Sequence, residues 1–431
     1  MLSAYPRIDQ FNRLRRRIEE TFVVAVLLLS TGAVYAVWMS SRDPASLDRQ
    51  GDLQGELVWS GLYLVVAFFS AHHIRQILAG MGAARWALFL VAFAALSVAW
   101  SGAPIFSAHR IVALLGTTLF GLYLGTRFSP LEQLRLIARS LTIGTLASLA
   151  AMFLIPSFAI QSDSNNAWRG VFDQKDAAGT WMAMSVAVLT LLAVTERRHR
   201  RLRIAVACVS LVLLIQSQCV TALMMLIGFC IASSFAGMFR LHWKAAVATL
   251  FCFLPFAVAS VAWASSQFDN IAIMLGRSPT LTGRTLLWEF VIGEIAKRPI
   301  LGHGYAGFWA VNGREVTLAA AGWASPHAHN GILELMLNLG IVGLVLFLLS
   351  LIVLLRRALL EVREESGPIR LWPLLFLAWL LIYNITLPGI LERNSFSWIL
   401  FVALSCSLHP AIQKTVGAVP ERIHSHEYVR G

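Results

Sequence analysis

Charged residues are scarce in this chain. They make up 13% of its 431 residues, whereas hydrophobic residues make up 57%. A typical soluble domain carries about 25% charged residues, so the composition argues against a soluble protein. Apolar runs of about 17–25 residues recur along the whole chain, each long enough for a membrane-spanning helix. Because these runs do not alternate as barrel strands do and open sheets cannot span lipid, the sequence predicts an all-α polytopic membrane protein.

Cysteines and carboxylates are also few. The five cysteines lie in or beside apolar runs without metal-ligand spacing, which predicts small buried hydrophobic residues and no disulfide framework. Only 23 acidic residues oppose 35 basic ones, giving a net charge of +12. Membrane proteins retain Arg and Lys in cytoplasmic loops, which accounts for this balance. With no zinc-finger spacing and no basic helix interleaved with aromatics, we expect no nucleic-acid partner.

About twelve spans are predicted in a single integral membrane domain, residues 1–431. Their approximate bounds are 22–40, 55–72, 84–100, 109–126, 134–155, 177–194, 202–217, 220–238, 245–264, 331–355, 371–388 and 395–411. The positive-inside bias predicts cytoplasmic N- and C-termini and the exported segments 41–54, 156–176 and 265–330. Residues 265–330 form the one large loop, so we expect function there. Within it, Gly283–Lys297 is predicted to be an amphipathic helix that could lie at the outer interface.

Three basic residues of the exported segments are not needed for topology: Arg169, Lys175 and Arg284. A guanidinium binds phosphate or carboxylate with two parallel hydrogen bonds. Two arginines from different loops could therefore bracket a pyrophosphate beside the membrane. The alternative is a solvated loop charge, or a side chain that reaches the lipid headgroups.

The stretch SPHAHNGILELMLNLG, residues 325–340, places titratable groups at the edge of a long apolar run. Ser325 and Pro326 could begin the helix, which would place His327, Asn330 and Glu334 on one face. Alternatively Asn330 is the N-cap, and both histidines lie in the preceding loop. In either frame a neutral histidine at headgroup level could accept a proton from a sugar hydroxyl. The alternative is a histidine bonded to a loop carbonyl.

Other polar residues give weaker signals. His303, His327, His329 and Glu334 match no familiar ligand spacing, so no metal site is predicted. Asn384, Glu392 and Arg393 face the exported compartment in this topology. They either line a cavity or form an internal pair.

Four segments carry a resemblance to a known family: WRGVFDQKDAAG (168–179), GRTLLW (283–288), RPILGHGYAGF (298–308) and AHNGILELMLNLGIVGLVLF (328–347). Their order, within a twelve-span frame that has one large exported loop, resembles the O-antigen ligase and polysaccharide polymerase family. This family includes lipopolysaccharide ligases, Wzy-type polymerases and ExoQ-type exopolysaccharide proteins. The motifs cover residues 168–347, and the flanking spans match only as hydrophobic helices.

The resemblance implies a GT-C-like fold and a metal-independent, cofactor-free, inverting glycosyltransferase. The donor would be an undecaprenyl-pyrophosphate-linked glycan and the acceptor a glycan or lipid-linked glycan, at the periplasmic face of the bacterial inner membrane. Other polysaccharide export proteins are further expected partners. By motif, Arg169 and Arg284, with Lys175, would hold the pyrophosphate, and His329 would be the catalytic base. His327, His303, Asn330 and Glu334 would be helpers.

Two positions depart from the family pattern. Asp176 stands where relatives have Asn after the lysine, and near Gln218, Cys219 and Val220, where many relatives have a Ser-Arg pair, no arginine is present. The Lys175 motif and the modest exported loop favour polymerisation of exopolysaccharide repeat units. The alternatives are an O-antigen ligase acting on lipopolysaccharide core and a polysaccharide transporter or flippase. A transporter would need charges deep within its spans, whereas the polar residues here cluster in exported loops.

Overall fold

The computed structural model of the protein describes residues 5–33, 53–161, 166–234, 284–321, 325–364 and 367–417. These residues are almost entirely helical. The helices are α1 Tyr5–Ser30, α2 Leu53–His72, α3 Ile74–Ala83, α4 Arg85–Leu96, α5 Pro104–Arg127, α6 Pro130–Leu154, α7 Pro156–Ala159, α8 Lys175–Thr195, α9 Arg200–Gln216, α10 Val220–Ser234, α11 Arg284–Lys297, α12 Arg314–Ala321, α13 Gly331–Glu364, α14 Trp372–Thr386, α15 Phe396–Ser407 and α16 Pro410–Gly417. Two short strands, β1 Ile160–Gln161 and β2 Ala167–Trp168, pair antiparallel.

Six described helices are long and apolar enough to cross a membrane, and a bent pair would make seven. The helical content and these candidate spans confirm the prediction of an all-α polytopic membrane protein. The predicted span 245–264 lies outside the described residues, as do parts of 22–40 and 220–238. Helices α9, α10 and α15 match predicted spans, but their 17, 15 and 12 residues are short for a crossing.

The third predicted span, 84–100, has a different form. Helix α3 precedes α4, and the two helices meet at a bend of 90°. Helix α3 thus lies between the predicted spans 55–72 and 84–100. Helix α3 is short and buries Ile77, Gly80 and Ala83 at helical spacing, so it lacks the long apolar run by which spans were recognised.

The chain divides into two compact units. The first consists of residues 1–85, 116–222 and 399–431. Within it, α1, α8 and α9 pack on α6, and α9 also packs along α8. Thr145, Ser185 and Ser210, one from each of α6, α8 and α9, form a buried hydroxyl cluster with Oγ–Oγ distances of 2.9–3.3 Å. Hydroxyls that bond to one another inside an apolar bundle help to hold its helices together.

The second unit consists of residues 86–115 and 223–398. The described part of the segment predicted to be exported starts with α11, which packs on α12 and α13. A helix is present over Arg284–Lys297 of the predicted Gly283–Lys297, and its placement at the outer interface stays a prediction. Its buried residues Leu287, Val291 and Ile295 form a core with Ala328 and Leu337. Through this core, α11 packs against the histidine-containing stretch.

Helix α13 is longer than a membrane crossing requires. Its 34 residues correspond to about 51 Å of helix, against a hydrocarbon core of about 30 Å. Up to Arg356 and Arg357, which mark the other end of the crossing, the helix covers about 37 Å, so about one turn extends beyond the hydrocarbon on the side of the histidines.

Candidate active site

The histidine loop, residues 325–330, precedes α13. Helix α13 begins at Gly331, and the Asn330 Oδ1 accepts hydrogen bonds from the backbone N–H groups of Ile332 and Leu333, at 3.0 and 3.1 Å. This is N-cap geometry, so the prediction of Asn330 as the cap is confirmed and the frame that begins at Ser325 is wrong. Ser325 instead closes the loop, because its Oγ donates to the carbonyl of His327 at 2.6 Å.

The two histidines of this loop lie side by side. Their ring centroids are 4.0 Å apart, and the His327 Nδ1 accepts a hydrogen bond from the backbone N–H of His329 at 3.2 Å. His329 adopts a left-handed backbone conformation, with φ of 49°. An isolated left-handed residue turns the chain sharply, so His329 occupies the corner at which the loop enters the helix.

Both histidines are held in the neutral form. Burial, followed by the Arg284 charge, lowers the pKa of His327 to about 4. Burial, His327 and Arg284 lower the pKa of His329 to about 3, and a hydrogen bond to the Thr386 backbone opposes this shift. A bond that raises a histidine pKa is one in which the ring donates. The His329 ring therefore donates to the Thr386 backbone through Nε2, and its Nδ1, which is buried, is the acceptor nitrogen of the neutral ring.

Arg284 is the first residue of α11, with a half-buried side chain. Its charge acts on both histidines, so the structure brings three of the predicted site residues together. The Trp288 Nε1, one turn further along α11, donates to the carbonyl of Ala328 at 3.0 Å. Ala328 lies between the two histidines, and this bond fixes α11 to the histidine loop.

Helix α13 is broken at Gly340, which has φ of 61° and ψ of −159°. In a continuous helix, the N–H groups of Ile341 and Val342 would bond to the carbonyls of Leu337 and Asn338. The break separates these two pairs. Groups left without partners near hydrocarbon would cost several kcal/mol each, so they need other partners.

The segment 299–304, from the third family motif, supplies those partners. Its carbonyls accept from the two freed N–H groups, and its N–H groups donate to the two freed carbonyls. The bonds are Ile341 N to Pro299 O (2.8 Å), Val342 N to Ile300 O (3.3 Å), His303 N to Leu337 O (2.9 Å) and Gly304 N to Asn338 O (3.0 Å). The third and fourth motifs are therefore one hydrogen-bonded structure, in which a loop segment is inserted into a helix.

His303, a predicted helper, takes a structural position in this segment. Its Nε2 lies 3.0 Å from the carbonyl of Glu294 and can donate to it, and its ring makes an edge contact with Phe308 at 5.3 Å. The ring thus links the inserted segment to α11.

Glu334, another predicted helper, is almost completely buried, with 8% exposure. Its carboxylate accepts from the Ala328 N–H at 2.8 Å, from the Trp309 Nε1 at 2.8 Å and from the Asn338 Nδ2 at 3.0 Å. Trp309 and Asn338 were not singled out from the sequence. An isolated Asn within an apolar run is the signal that could have identified Asn338.

The loop after α14 lies in the same unit. The Asn384 Oδ1 accepts from the N–H groups of Gly389 and Ile390, at 2.8 and 3.2 Å, so this residue shapes the loop. The Tyr305 hydroxyl donates to the Leu391 carbonyl at 2.8 Å. Burial raises the pKa of Glu392, and the charges of Arg110 and Arg393 oppose this shift. Glu392 is thus a member of an internal charged group.

Arg169 and Lys175 belong to the first unit, where they flank the turn before α8. The Arg169 Nε donates to the Phe158 carbonyl at 2.6 Å, and its Nη1 donates to the Asp173 carbonyl at 3.0 Å. Its guanidinium also lies 4.2 Å from the centroid of the Phe158 ring. Lys175 is the first residue of α8. Arg169 therefore holds the loop together through part of its guanidinium.

The two departures from the family pattern are neighbours. Burial, and next the adjacent Asp176 carboxylate, raise the pKa of the Cys219 thiol to about 12. The Cys219 side chain also hydrogen-bonds to Asp176. The thiol is therefore protonated at neutral pH, and the two substitutions form a local pair.

Within the described ranges, no group of three or more His, Cys, Asp or Glu side chains could hold a metal ion. The site as described offers neutral imidazoles and a guanidinium. This combination suits proton transfer beside an anionic group.

Comparison with known proteins identifies the class of this site. Residues 222–348 match the family model of the O-antigen ligase domain, Wzy_C. The match contains Arg284, the inserted segment, the histidine loop and the start of α13, all in the second unit. This stretch contains three of the four motifs, and the predicted resemblance to the O-antigen ligase and polysaccharide polymerase family is confirmed there.

Individual relatives match this chain over different lengths. The chain is 25% identical over 337 residues to the exopolysaccharide production protein ExoQ of Rhizobium meliloti, covering 72% of this chain and 74% of the relative. It is 39% identical over 79 residues to a candidate polysaccharide ligase of Rickettsia felis, covering 17% of this chain and 19% of the relative. A candidate polysaccharide ligase of Rickettsia conorii is 37% identical over 79 residues, with the same coverage.

Proposed function

We propose that the protein polymerises exopolysaccharide repeat units at the periplasmic face of the bacterial inner membrane. The donor is an undecaprenyl-pyrophosphate-linked oligosaccharide, and the acceptor is a sugar hydroxyl of another lipid-linked glycan. The likeness to ExoQ supports this choice because it extends over 74% of that protein, whereas the match to the Rickettsia felis ligase covers 19%.

In the proposed reaction, the acceptor oxygen attacks the anomeric carbon of the donor. The bond from this carbon to the pyrophosphate oxygen breaks, the new glycosidic bond forms, and undecaprenyl pyrophosphate leaves. The hydroxyl proton passes to His329. Attack from the face opposite the leaving group inverts the anomeric centre, and no metal or cofactor takes part.

The geometry of His329 is the observation that carries the proposal. The residue lies at the corner before a capped helix, has a pKa of about 3, and donates to Thr386 through one ring nitrogen. Its other nitrogen is therefore a proton acceptor at neutral pH. A pKa this low makes a weak base in the empty site. A bound anionic pyrophosphate would offset the Arg284 charge and raise the pKa toward the range of effective general bases.

The basic residues bind the donor in this proposal. Arg284 contacts the pyrophosphate and stabilises the charge that develops as the glycosyl bond breaks. Arg169 and Lys175 are assigned to the same task from the motif alone. His327 supports His329, because its Nδ1 accepts from the His329 backbone.

The replacement His329→Ala tests the proposal. Purified protein in liposomes would be supplied with a lipid-linked repeat unit, and polymer length would be measured on gels. Loss of a general base slows a reaction by about 10²–10⁴-fold, so we expect the variant to polymerise more slowly by that factor at wild-type protein levels. The exposed His109 offers a matched control, since His109→Ala should polymerise normally. Normal polymer from His329→Ala would exclude His329 as the base.

The second candidate function is ligation of O-antigen to lipopolysaccharide core. The matches to two Rickettsia candidate ligases favour it. Acceptor dependence separates the two activities. A polymerase elongates lipid-linked repeat units that are supplied alone, whereas a ligase gives product only when lipopolysaccharide core is added. A flippase would move lipid-linked glycan across the bilayer without forming a glycosidic bond.

A further inference from the structure

We propose that Glu334 is the positioning residue of this site, which holds the peptide between the two histidines in place without exchanging a proton with substrate. The proposal rests on the function given above, because it takes His329 as the base. It assigns to Glu334 a role distinct from that of a second acid or base.

The peptide in question is held from both sides. The Ala328 N–H donates to the Glu334 Oε2 at 2.8 Å, and the Ala328 carbonyl accepts from the Trp288 Nε1 at 3.0 Å. Ala328 is fully buried and separates His327 from His329. Any movement of this peptide therefore moves both imidazoles.

The Glu334 carboxylate also joins the histidine loop to the third motif. Its Oε1 accepts from the Trp309 Nε1 at 2.8 Å and from the Asn338 Nδ2 at 3.0 Å. The Asn338 Oδ1 in turn accepts from the Ala306 N–H at 3.0 Å. A chain of hydrogen bonds thus runs from the third motif through Asn338 and Glu334 to the histidine loop.

The donors around Glu334 can all be satisfied by a carboxylate at this position and cannot all be satisfied by an amide. All three groups that face Glu334 are N–H donors, so the side chain at this position must accept with both oxygens. The Asn338 amide cannot turn over to help, because its oxygen is needed by Ala306. In Glu334→Gln, the new NH₂ group would face an N–H, leaving buried donors without acceptors.

The polar partners of Glu334 explain why it is a positioning residue. Each of its three hydrogen bonds described above is to a protein donor, and the residue is 8% exposed. Its influence on the reaction therefore passes through the Ala328 peptide to His329.

A double-mutant cycle with a structural readout tests the proposal. Displacement of a catalytic group by about 1 Å can cost about 10²-fold in rate, so we expect Glu334→Gln to lower kcat about 10²-fold with donor KM nearly unchanged. In the His329→Ala background the same substitution should have no further effect, because its target is gone. Hydrogen–deuterium exchange of residues 325–331 should become faster in Glu334→Gln.

Two variants serve as controls. Glu294→Gln makes the same chemical change in the same unit, at a carboxylate that pairs with the exposed Lys297, and should change neither kcat nor exchange. If Glu334→Gln fails to insert in the membrane, Trp309→Phe removes one N–H donor from the same carboxylate while keeping a large ring. It should slow the reaction less strongly and in the same non-additive way.

Three results would overturn the assignment: equal losses from Glu334→Gln in the wild-type and His329→Ala backgrounds, unchanged exchange of residues 325–331, or wild-type kcat. The exchange experiment needs no transfer activity. If wild-type protein forms no glycosidic bond, the proposed function fails, and exchange still tests whether Glu334 positions the loop.

Discussion

Gly340 allows α13 to break where the third motif is inserted. The replacement Gly340→Ala puts a side chain at a position with φ of 61° and ψ of −159°, a backbone region that is essentially restricted to glycine. A Cβ atom there would also collide with the carbonyl group of Ile300. The substitution therefore acts directly on the joint between the helix and the inserted segment.

The cost has two parts. Holding a non-glycine residue in this conformation costs about 1–3 kcal/mol. Relief of the collision displaces residue 300 and weakens the bonds from Ile341 to Pro299 and from Val342 to Ile300, each worth about 1 kcal/mol. We expect Gly340→Ala to lower the free energy of unfolding by about 3–5 kcal/mol.

Unfolding in mixed micelles, followed by tryptophan fluorescence, would measure this change. Gly293→Ala is the matched control, because Gly293 lies in helix α11 and a Cβ there meets no atom within 4 Å. Alanine at a helical position of this kind should stabilise by about 0.5–1 kcal/mol, the opposite sign. A Gly340→Ala protein as stable as wild type would show that the break does not depend on glycine.

Four further predictions concern the histidine loop and Arg284. Because the pKa of His327 is about 4 and that of His329 about 3, both stay neutral down to about pH 5, so neither should give kcat/KM of the free protein an acid limb above that pH; burial raises the pKa of Glu334 to about 7, so a limb above pH 5 that persists in Glu334→Gln would contradict this. Histidines in the unfolded chain have a pKa near 6.5, so the free energy of unfolding should fall as the pH drops from about 6.5 toward 4. Urea unfolding curves recorded at several pH values would show this. Arg284→Gln should raise donor KM roughly 10–100-fold by removing a charged hydrogen bond, and Arg284→Lys should restore it only in part; an unchanged KM would remove Arg284 from the donor site. Asn330→Ala should cost about 1 kcal/mol of unfolding free energy and Asn330→Asp much less, since Asp also caps helices; equal losses would argue against the cap.

Much of the helical framework follows from apolar runs. Helices α2, α5, α6, α8 and α14 lie close to predicted spans, because an apolar run of this length has few alternatives to a helix. The break at Gly340 could not be predicted in the same way. Its sequence, LNLGIVG, is apolar enough to continue the helix, and the bonds that stabilise the break come from residues about forty positions earlier.

The candidate site was predictable where local chemistry decides. The Asn330 cap, and with it the loop position of His329, depends on neighbouring residues, and the sequence identified both. Trp309 and Asn338 were missed because their importance arises from Glu334, to which the fold brings them. Sequence periodicity identifies the face on which a polar group lies, and it gives no indication of the donors that will meet it.

The insertion of residues 299–304 into α13 has a consequence for how the protein is made. Ribosomes deliver the inserted segment first and the helix afterwards, so the segment is already made when the first turns of α13 emerge. A copy of α13 formed without it would close its own ladder at Leu337 and Asn338, and would carry the histidine loop at a different angle. The inserted segment therefore acts as an assembly template for the helix that follows it, and deletion of residues 299–304 should leave α13 continuous.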